Sequence, residues 1–181
     1  MREEAATEFD GLASTILYTG VGKVNSAWAL TRALAARRPL LVLDFGTVGS
    51  PRLAPHTLVE CTRFIQRDMD ATPLGLAPFT TPFDALPPVL EVPRRLPDLA
   101  SATCGSADHF VAGHDVGECD VVEMEAYALA KVCRLEAVEF MAVKYVTDGG
   151  DASAHLDWRV NLPRAARAFR LVYDRIVGER A

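Results

Sequence analysis

Hydrophobic positions along the chain follow two spacings, one typical of strands and one typical of helices. Apolar and β-branched runs predict strands in six places: residues 14–19, 40–45, 57–67, 89–92, 102–106 and 138–147. Apolar residues at helical spacing predict helices over residues 24–36 and 162–177, and a short helix opens the chain at residues 3–6. This alternation predicts an α/β fold, with a mixed central β-sheet flanked by helices in a single domain over residues 1–181.

Two glycine-rich turns follow predicted strands. Residues 20–23, Gly-Val-Gly-Lys, lead into the first long helix, whose apolar face is expected to include Val24, Trp28 and Leu34. Such a turn can hold an anion, but the P-loop spacing is absent, and a plain strand-to-helix turn is the favoured interpretation. The second turn, at residues 46–51, follows a buried strand, where glycines allow the backbone to approach a ligand.

The chain is organised around residues 121–130, which run from β-branched residues past two carboxylates into an alanine-rich segment. This pattern predicts a strand end, a turn and a buried helix. Glu123 and Glu125 lie at the crossing, where open α/β sheets bind ligands. Two interpretations stay open: the acids belong to a site, or they are solvated residues at a helix N-terminus, where acids are favoured.

Composition and charge argue against several functional classes of protein. The chain has 181 residues and a formal net charge of −5, so it lacks the basic surface that nucleic-acid binding requires. It contains no run of 18 apolar residues, and its acidic start has no signal-peptide core, so we expect no membrane span and a cytoplasmic location. Its four cysteines have no paired C-x-x-C spacing and are expected to be reduced thiols.

Five segments, taken in order, resemble the nucleoside phosphorylase and nucleosidase superfamily, and most closely its 5'-methylthioadenosine/S-adenosylhomocysteine nucleosidases. The segments are Thr-Gly-Val-Gly-Lys-Val (19–24), Gly-Thr-Val-Gly (46–49), Asp-Met-Asp-Ala-Thr (68–72), residues 105–111 and Val-Glu-Met-Glu-Ala (122–126). They are similar to the family's S-G-I-G-K-V, G-S-A-G, D-x-D-x-T, G-D-x-F-I and V-E-M-E-A motifs, and a later Thr147-Asp148 is similar to its S-D turn. The resemblance covers most of the chain.

The resemblance implies hydrolysis of the N-glycosidic bond of a purine nucleoside, with water as the nucleophile and no cofactor or metal. Asp148 matches the general acid that protonates the purine at N7, and Thr147 would orient it. Glu4 matches the glutamate that positions the water. The residues expected to contact the substrate are Glu125, which accepts the ribose hydroxyls, the neighbouring Met124 and Glu123, Phe110 and Val111 at the purine, and Thr47, Val48 and Gly49.

Each of these residues also has a simpler interpretation. Phe110 on its own is more often part of a core, and the segment at residues 148–151 is a plausible loop because Asp and Gly dominate turns. Cys104, His109, His114 and Cys119 recur at five-residue intervals, but structural zinc sites have tighter paired spacing. Zinc is therefore the less favoured interpretation.

The resemblance also implies a homodimer, because relatives place the region matching the apolar, proline-rich residues 68–88 at a two-fold interface. It further implies a strand before the catalytic glutamate, which the sequence before Glu4 does not supply, so the start is truncated or the sheet is reorganised. Two alternatives stay open: a purine nucleoside phosphorylase, although Arg52 and Arg67 match no phosphate motif, and a non-catalytic nucleoside-binding homologue.

Overall fold

A computed structural model describes residues 1–110, 116–149 and 154–178, with side chains from residue 158 onward in the last range. The helices are α1 (Arg2–Ala5), α2 (Lys23–Ala36), α3 (Ala126–Leu135) and α4 (Ala154–Gly178), with one 3-10 turn at Thr72–Leu74. The strands are β1 (Leu41–Gly49), β2 (Leu58–Gln66), β3 (Val89–Glu91), β4 (Ala100–Ser106), β5 (Val121–Glu123) and β6 (Glu139–Asp148). The predicted mixed α/β architecture is confirmed.

The six strands form one sheet in the order β3-β2-β4-β5-β1-β6, and β2 also pairs with β6. The pairs β1–β6, β2–β4 and β4–β5 are parallel, whereas β1–β5, β2–β3 and β2–β6 are antiparallel. The register places Thr47 beside Tyr145 and Gly49 beside Asp148. The carboxyl ends of β1 and β6 therefore lie next to each other, and this is the edge at which α/β sheets bind ligands.

The helices cover the sheet on two sides. Leu30 and Leu34 of α2 and the alanine-rich face of α3 pack in the largest buried cluster, which includes Phe64 and Phe140. On the other side, α4 buries Phe169 against β1 and β6, where Phe45 and Phe169 stack with ring centroids 5.3 Å apart. Burial on this scale is the main favourable contribution to folding. It also holds the strand ends in a defined arrangement.

Three predictions about elements are wrong. Residues 14–19 form no strand; Ile16 and Leu17 are more than a third exposed, and the segment lines a cleft of about 670 Å³ beside β1. Within the described residues, no strand pairs with the edge of β1 opposite β6 between Leu41 and Val48. A β-branched pattern makes a strand only where a partner completes its hydrogen bonds.

The apolar face predicted for α2 is correct at Leu34, which is buried, but wrong at Val24 and Trp28, which are 77% and 64% exposed. Ser26 and Leu30 are buried instead. The turn predicted at residues 46–51 begins too early, because β1 continues to Gly49. Pairing with β6 explains this, since the glycine-containing segment gains a complete parallel partner.

The last helix is longer than the sequence predicts and contains Pro163 in its interior. Proline lacks the N–H that would bond the preceding turn, which is why the pattern favours a start near residue 162. Packing of Leu162, Ala165 and Ala166 against the sheet side holds the helix on both sides of the proline. Within the described residues, no helix has the length and hydropathy needed to cross a membrane.

Candidate active site

A cavity of about 250 Å³ opens at the carboxyl ends of β1 and β6. Five carboxylates line it, contributed by residues far apart in sequence: Glu4, Asp44, Glu123, Glu125 and Asp148. Among the described residues that line the cavity, Lys144 is the only lysine or arginine. The site therefore has an excess of acidic groups within a small, partly apolar space.

Glu4 reaches the cavity from α1, the short helix at the start of the chain. Its Oε1 atom accepts hydrogen bonds from the backbone N–H of Thr47 at 2.9 Å and from the Thr47 hydroxyl at 2.7 Å, and its Oε2 atom contacts the amine of Met1. Burial by itself raises the pKa of Glu4, but the amine and the Thr47 bonds outweigh burial and hold that pKa below its ordinary value. Glu4 is therefore held as a carboxylate.

Glu123 has a structural role at the start of α3. Its Oε2 atom accepts hydrogen bonds from the backbone N–H groups of Glu125 at 2.9 Å and Ala126 at 2.7 Å, and its Oε1 atom contacts the Ser106 hydroxyl. The first turn of a helix has unsatisfied N–H groups, and a carboxylate there is favoured. The helix N-terminus interpretation thus describes Glu123, although its side chain is buried rather than solvated.

Glu125 turns away from that helix and into the cavity. Its Oε1 atom accepts a hydrogen bond of 2.8 Å from the backbone N–H of Gly22, in the glycine turn before α2. Burial raises the pKa of Glu125 to about 7, the charge of Glu123 adds to this rise, and the Gly22 bond opposes it. Two acids only two residues apart therefore have different surroundings.

Gly22 is suited to this contact by its backbone. Its φ is +90°, and a Cβ there would lie 3.1 Å from an oxygen of Asp108. Only glycine adopts such a conformation without strain. The turn predicted to be able to hold an anion does hold carboxylates of the chain itself, because Lys23 N–H also donates to Asp108 at 2.8 Å.

Asp148 lies at the end of β6 and is 4% exposed. Its Oδ2 atom accepts a hydrogen bond of 2.7 Å from the Thr147 hydroxyl, whose oxygen is also 3.3 Å from the Val48 carbonyl oxygen. Asn161 of α4 donates to the Thr147 carbonyl at 2.8 Å. The structure thus places Asp148 in the cavity, beside the threonine that was expected to orient it.

Lys144 and Asp44 form a buried ion pair beneath the cavity, with 2.8 Å between Nζ and Oδ2, and Glu123 lies 3.5 Å from the same ammonium. Burial alone would lower the pKa of Lys144, but the carboxylates of Asp44 and Glu123 raise it well above its ordinary value. Burial raises the pKa of Asp44, and Lys144 offsets only part of that effect. Lys144 therefore stays charged but has its partners within the protein.

The other predicted contact residues also surround the cavity. Thr47, Val48, Gly49, Met124 and Phe110 line it. Phe110 is 54% exposed, so the core interpretation of this residue is wrong. Val111 lies outside the described residues.

The cysteine and histidine residues considered for zinc are not gathered at a site. Cys104 and Cys119 are buried free thiols, His109 lies at the cavity, and His114 falls outside the described residues. In the part of the chain that the structure describes, no group of three or more metal-binding side chains is arranged to hold an ion.

Sequence reasoning missed Asp44, Lys144 and Trp158, and it singled out the turn that contains Gly22 without predicting the bond to Glu125. A signal existed for two of them, since Asp44 and Lys144 each interrupt an otherwise apolar strand, and buried charges are rarely found without a partner. Trp158 gave no such signal, because an aromatic residue near a predicted helix is ordinary core material. Its indole nitrogen lies 2.9 Å from the Thr47 hydroxyl oxygen.

Comparison with known proteins identifies relatives of this chain. Residues 6–178 match the family model described as the phosphorylase superfamily. A 5'-methylthioadenosine/S-adenosylhomocysteine nucleosidase of Actinobacillus succinogenes is 30% identical over 182 residues, which cover 88% of this chain and 78% of the relative. The corresponding nucleosidase of Baumannia cicadellinicola is 26% identical, with 90% and 80% covered.

Solved structures share the fold. The 5'-methylthioadenosine/S-adenosylhomocysteine nucleosidase from Helicobacter pylori with butyl-thio-DADMe-Immucillin-A superimposes with a TM-score of 0.87 at 22% identity, covering 99% of this chain and 95% of that one. The futalosine hydrolase of Helicobacter pylori gives the same TM-score and identity, with 99% and 94% covered. At this identity the likeness concerns the fold alone.

Proposed function

Because this chain belongs to the phosphorylase superfamily and, within it, to the 5'-methylthioadenosine/S-adenosylhomocysteine nucleosidases, we propose that it hydrolyses the N-glycosidic bond of a purine nucleoside of that type. The products are the free purine base and the free sugar. It is thus an N-glycosidase that serves nucleoside catabolism and methionine salvage.

The reaction divides between two carboxyl groups. Asp148 gives its proton to N7 of the purine, and the C1'–N9 bond breaks with its electron pair moving to the base. The sugar becomes oxocarbenium-like, and water adds to C1' while its proton passes to Glu4. Inverting glycosidases likewise use two separated carboxyl groups with room for a water molecule between them. A positioned acid of this kind contributes roughly 10²–10⁴-fold.

The substrate is held between these groups. Glu125 accepts hydrogen bonds from the ribose hydroxyls, with the Met124 backbone beside it, and Phe110 stacks on the purine. The half-exposed ring of Phe110 at the cavity supports this role, since an aromatic face in a partly open position is available to a planar base. The Gly22 bond to Glu125 keeps that carboxylate directed into the site.

One observation supports water rather than phosphate as the nucleophile. Five carboxylates line the cavity, and Lys144, the single lysine among the described lining residues, already contacts Asp44 and Glu123. Phosphate binding requires cationic groups, usually arginines. Arg52 contacts Asp120 and the Gly117 carbonyl, Arg67 contacts the His109 carbonyl, and neither lines the cavity. An acidic cavity repels phosphate and admits a neutral water molecule.

The test is incubation of the purified protein with methylthioadenosine, adenosylhomocysteine, inosine and adenosine, with and without phosphate. We expect adenine and a reducing sugar from the first two substrates, at a rate independent of phosphate. Formation of a sugar 1-phosphate that requires phosphate would instead identify a phosphorylase. Absence of base release from all four would favour the non-catalytic homologue.

We further propose that the protein is a homodimer, that residues 1–181 form one domain, and that it works in the cytoplasm. The segment at residues 68–88 supports the dimer, because Leu74 and Phe83 are fully or mostly exposed, and exposed apolar side chains of this kind mark interaction sites. Phe79 and Leu86 of the same segment pack against buried clusters, so the segment folds back in part. Four buried free thiols fit a reducing compartment.

A further inference from the structure

The N-terminal half of α4 reaches the cavity through the indole of Trp158. The Nε1 atom of Trp158 lies 2.9 Å from the Thr47 Oγ1 atom, and that Oγ1 lies 2.7 Å from the Glu4 Oε1 atom. Three residues from α4, β1 and α1 are thus joined in one hydrogen-bond chain. Trp158 is 111 positions from Thr47 in the sequence, so only the tertiary fold creates the chain.

The chemistry of these groups determines the direction of each hydrogen bond. An indole N–H can only donate, so the Thr47 oxygen must be its acceptor. A threonine hydroxyl has a single hydrogen, which is then directed to Glu4. Without the indole, the hydroxyl rotor has other orientations available. The indole therefore selects the orientation in which Thr47 donates to the carboxylate.

Successive bonds of this kind strengthen one another, because a hydroxyl that accepts a hydrogen bond becomes a better donor. The Thr47 backbone N–H, at 2.9 Å, supplies a second donor to the same Glu4 oxygen. Two donors on one oxygen restrict rotation of the carboxyl plane. A general base works only when it is held in line with the proton that it removes.

The same helix also contacts the strand that carries Asp148. Asn161, three residues after Trp158, donates to the Thr147 carbonyl at 2.8 Å, and the Thr147 hydroxyl donates to Asp148 at 2.7 Å. Each carboxyl group of the proposed reaction is therefore bonded to a threonine hydroxyl, and each of these threonines is bonded by a side chain of α4. This parallel favours a positioning role over simple packing for Trp158.

We propose that Trp158 is a positioning residue that, through the Thr47 hydroxyl, aligns the Glu4 carboxylate with the attacking water. This role rests on the proposed nucleosidase reaction. It extends the site to α4, from which Trp158 orients a carboxylate that belongs to α1.

The direct test is Trp158→Phe, which keeps an aromatic ring, removes the N–H donor and makes the side chain smaller. We expect kcat on methylthioadenosine to fall about 2- to 10-fold, the effect of losing one hydrogen bond of ordinary strength. KM should change by less than about twofold, because the lost bond does not contact the substrate. Trp28→Phe is the matched control, since Trp28 is exposed on α2 and does not line the cavity.

To separate a packing role from a positioning role, Trp158→Phe is made in three backgrounds: the wild type, Thr47→Ser and Thr47→Val. Thr47→Ser keeps the hydroxyl, so Trp158→Phe should still lower kcat there. Thr47→Val removes the hydroxyl while keeping the backbone N–H, so Trp158→Phe should have no further effect on kcat. An equal loss of kcat in all three backgrounds would mean that the ring only packs, and no loss in any of them would mean that the bond is irrelevant to catalysis.

A measurement independent of activity tests the contact itself. The indole N–H resonances of the two tryptophans can be assigned with Trp28→Phe, and we expect Thr47→Val to shift the Trp158 resonance and speed its exchange with solvent. If the wild type is active but Thr47→Val leaves the Trp158 resonance unchanged, the positioning role of Trp158 is wrong and the nucleosidase proposal stands. A wild-type protein that releases no base from any purine nucleoside would overturn the nucleosidase and this role together.

Discussion

The backbone N–H of Gly22 donates a hydrogen bond of 2.8 Å to the carboxylate of Glu125, 103 residues later in the chain. This bond connects the turn before α2 with the start of α3. It holds the carboxylate of Glu125 at the glycine turn, while Glu123, which also lines the cavity, stays bonded to backbone N–H groups at the start of α3. The two acids therefore have different surroundings, because their hydrogen-bond donors differ.

Replacing Glu125 with Gln should lower activity and raise stability at alkaline pH. Burial raises the pKa of Glu125 to about 7 in the folded protein, above the ordinary glutamate value of 4.5. The stability that this group contributes is present below pH 4.5 and is lost as the pH rises through 7. Glutamine keeps an acceptor for Gly22 and carries no charge, so the variant does not lose that stability.

Calorimetry at several pH values checks this prediction. The melting temperature of Glu125→Gln should exceed that of the wild type at pH 8, and the difference should shrink as the pH falls toward 4.5. A difference that is independent of pH would contradict the raised pKa of Glu125. Turnover of methylthioadenosine should be lower in the variant at pH 8, where Glu125 is ionised, because glutamine is a weaker acceptor for ribose hydroxyls than a carboxylate.

Replacing Asp148 with Asn should remove the proposed general acid and leave the fold intact. Asparagine has nearly the same shape and still accepts the Thr147 hydrogen bond. We expect turnover to fall by roughly two to four orders of magnitude, the range for losing a positioned acid. Steady-state kinetics measures the turnover of the variant, and circular dichroism checks that it is folded. Near-normal turnover would show that Asp148 is not the general acid.

Replacing Gly105 with Ala should destabilise the segment that leads to Phe110. A Cβ at residue 105 would lie 2.3 Å from the Cys119 sulfur and 3.1 Å from the Arg67 Cδ atom. Overpacking of this kind costs roughly 1–3 kcal/mol. Denaturant unfolding measures the loss of free energy of unfolding. Because the added Cβ meets the Cys119 sulfur, introducing Cys119→Ala into the Gly105→Ala variant should restore part of that loss.

The control for that experiment is Gly178→Ala, where an added Cβ meets no atom within 4 Å and φ is not positive. It should change the free energy of unfolding by less than about 0.5 kcal/mol, as surface substitutions usually do. If the Gly105 and Gly178 variants were equally stable, the close contact between Gly105 and Cys119 would be wrong. If Cys119→Ala gave no rescue, the strain would have another source.

Replacing Leu74 with Asp should weaken the proposed homodimer. Leu74 is 74% exposed in the single chain, and burying a charge in place of its side chain at an interface is unfavourable. Sedimentation at micromolar concentration should give a dimer for the wild type and a dissociation constant at least about tenfold higher for the variant. Leu171→Asp, at an equally exposed leucine on α4, is the matched control. A wild-type monomer with full activity would exclude the dimer.

The amino-acid sequence determined the elements whose patterns are local. Runs of apolar residues predicted β1, β2, β4 and β6, and the change from β-branched to alanine-rich residues predicted the β5–α3 crossing. The resemblance to family motifs placed Glu4, Glu125 and Asp148 among the site candidates, and the structure brings all three to one cavity. The elements follow from side-chain periodicity, which is present in the linear chain, whereas the site candidates came from the resemblance.

The tertiary structure alone decided features that depend on partners distant in sequence. Residues 14–19 have a strand pattern but pair with no strand, and α2 buries Leu30 while exposing Trp28. The Lys144–Asp44 pair and the Trp158–Thr47–Glu4 chain join residues from separate elements. Hydrogen bonds and ion pairs need atoms within about 3 Å of each other, and only the packing of strands and helices brings distant residues that close.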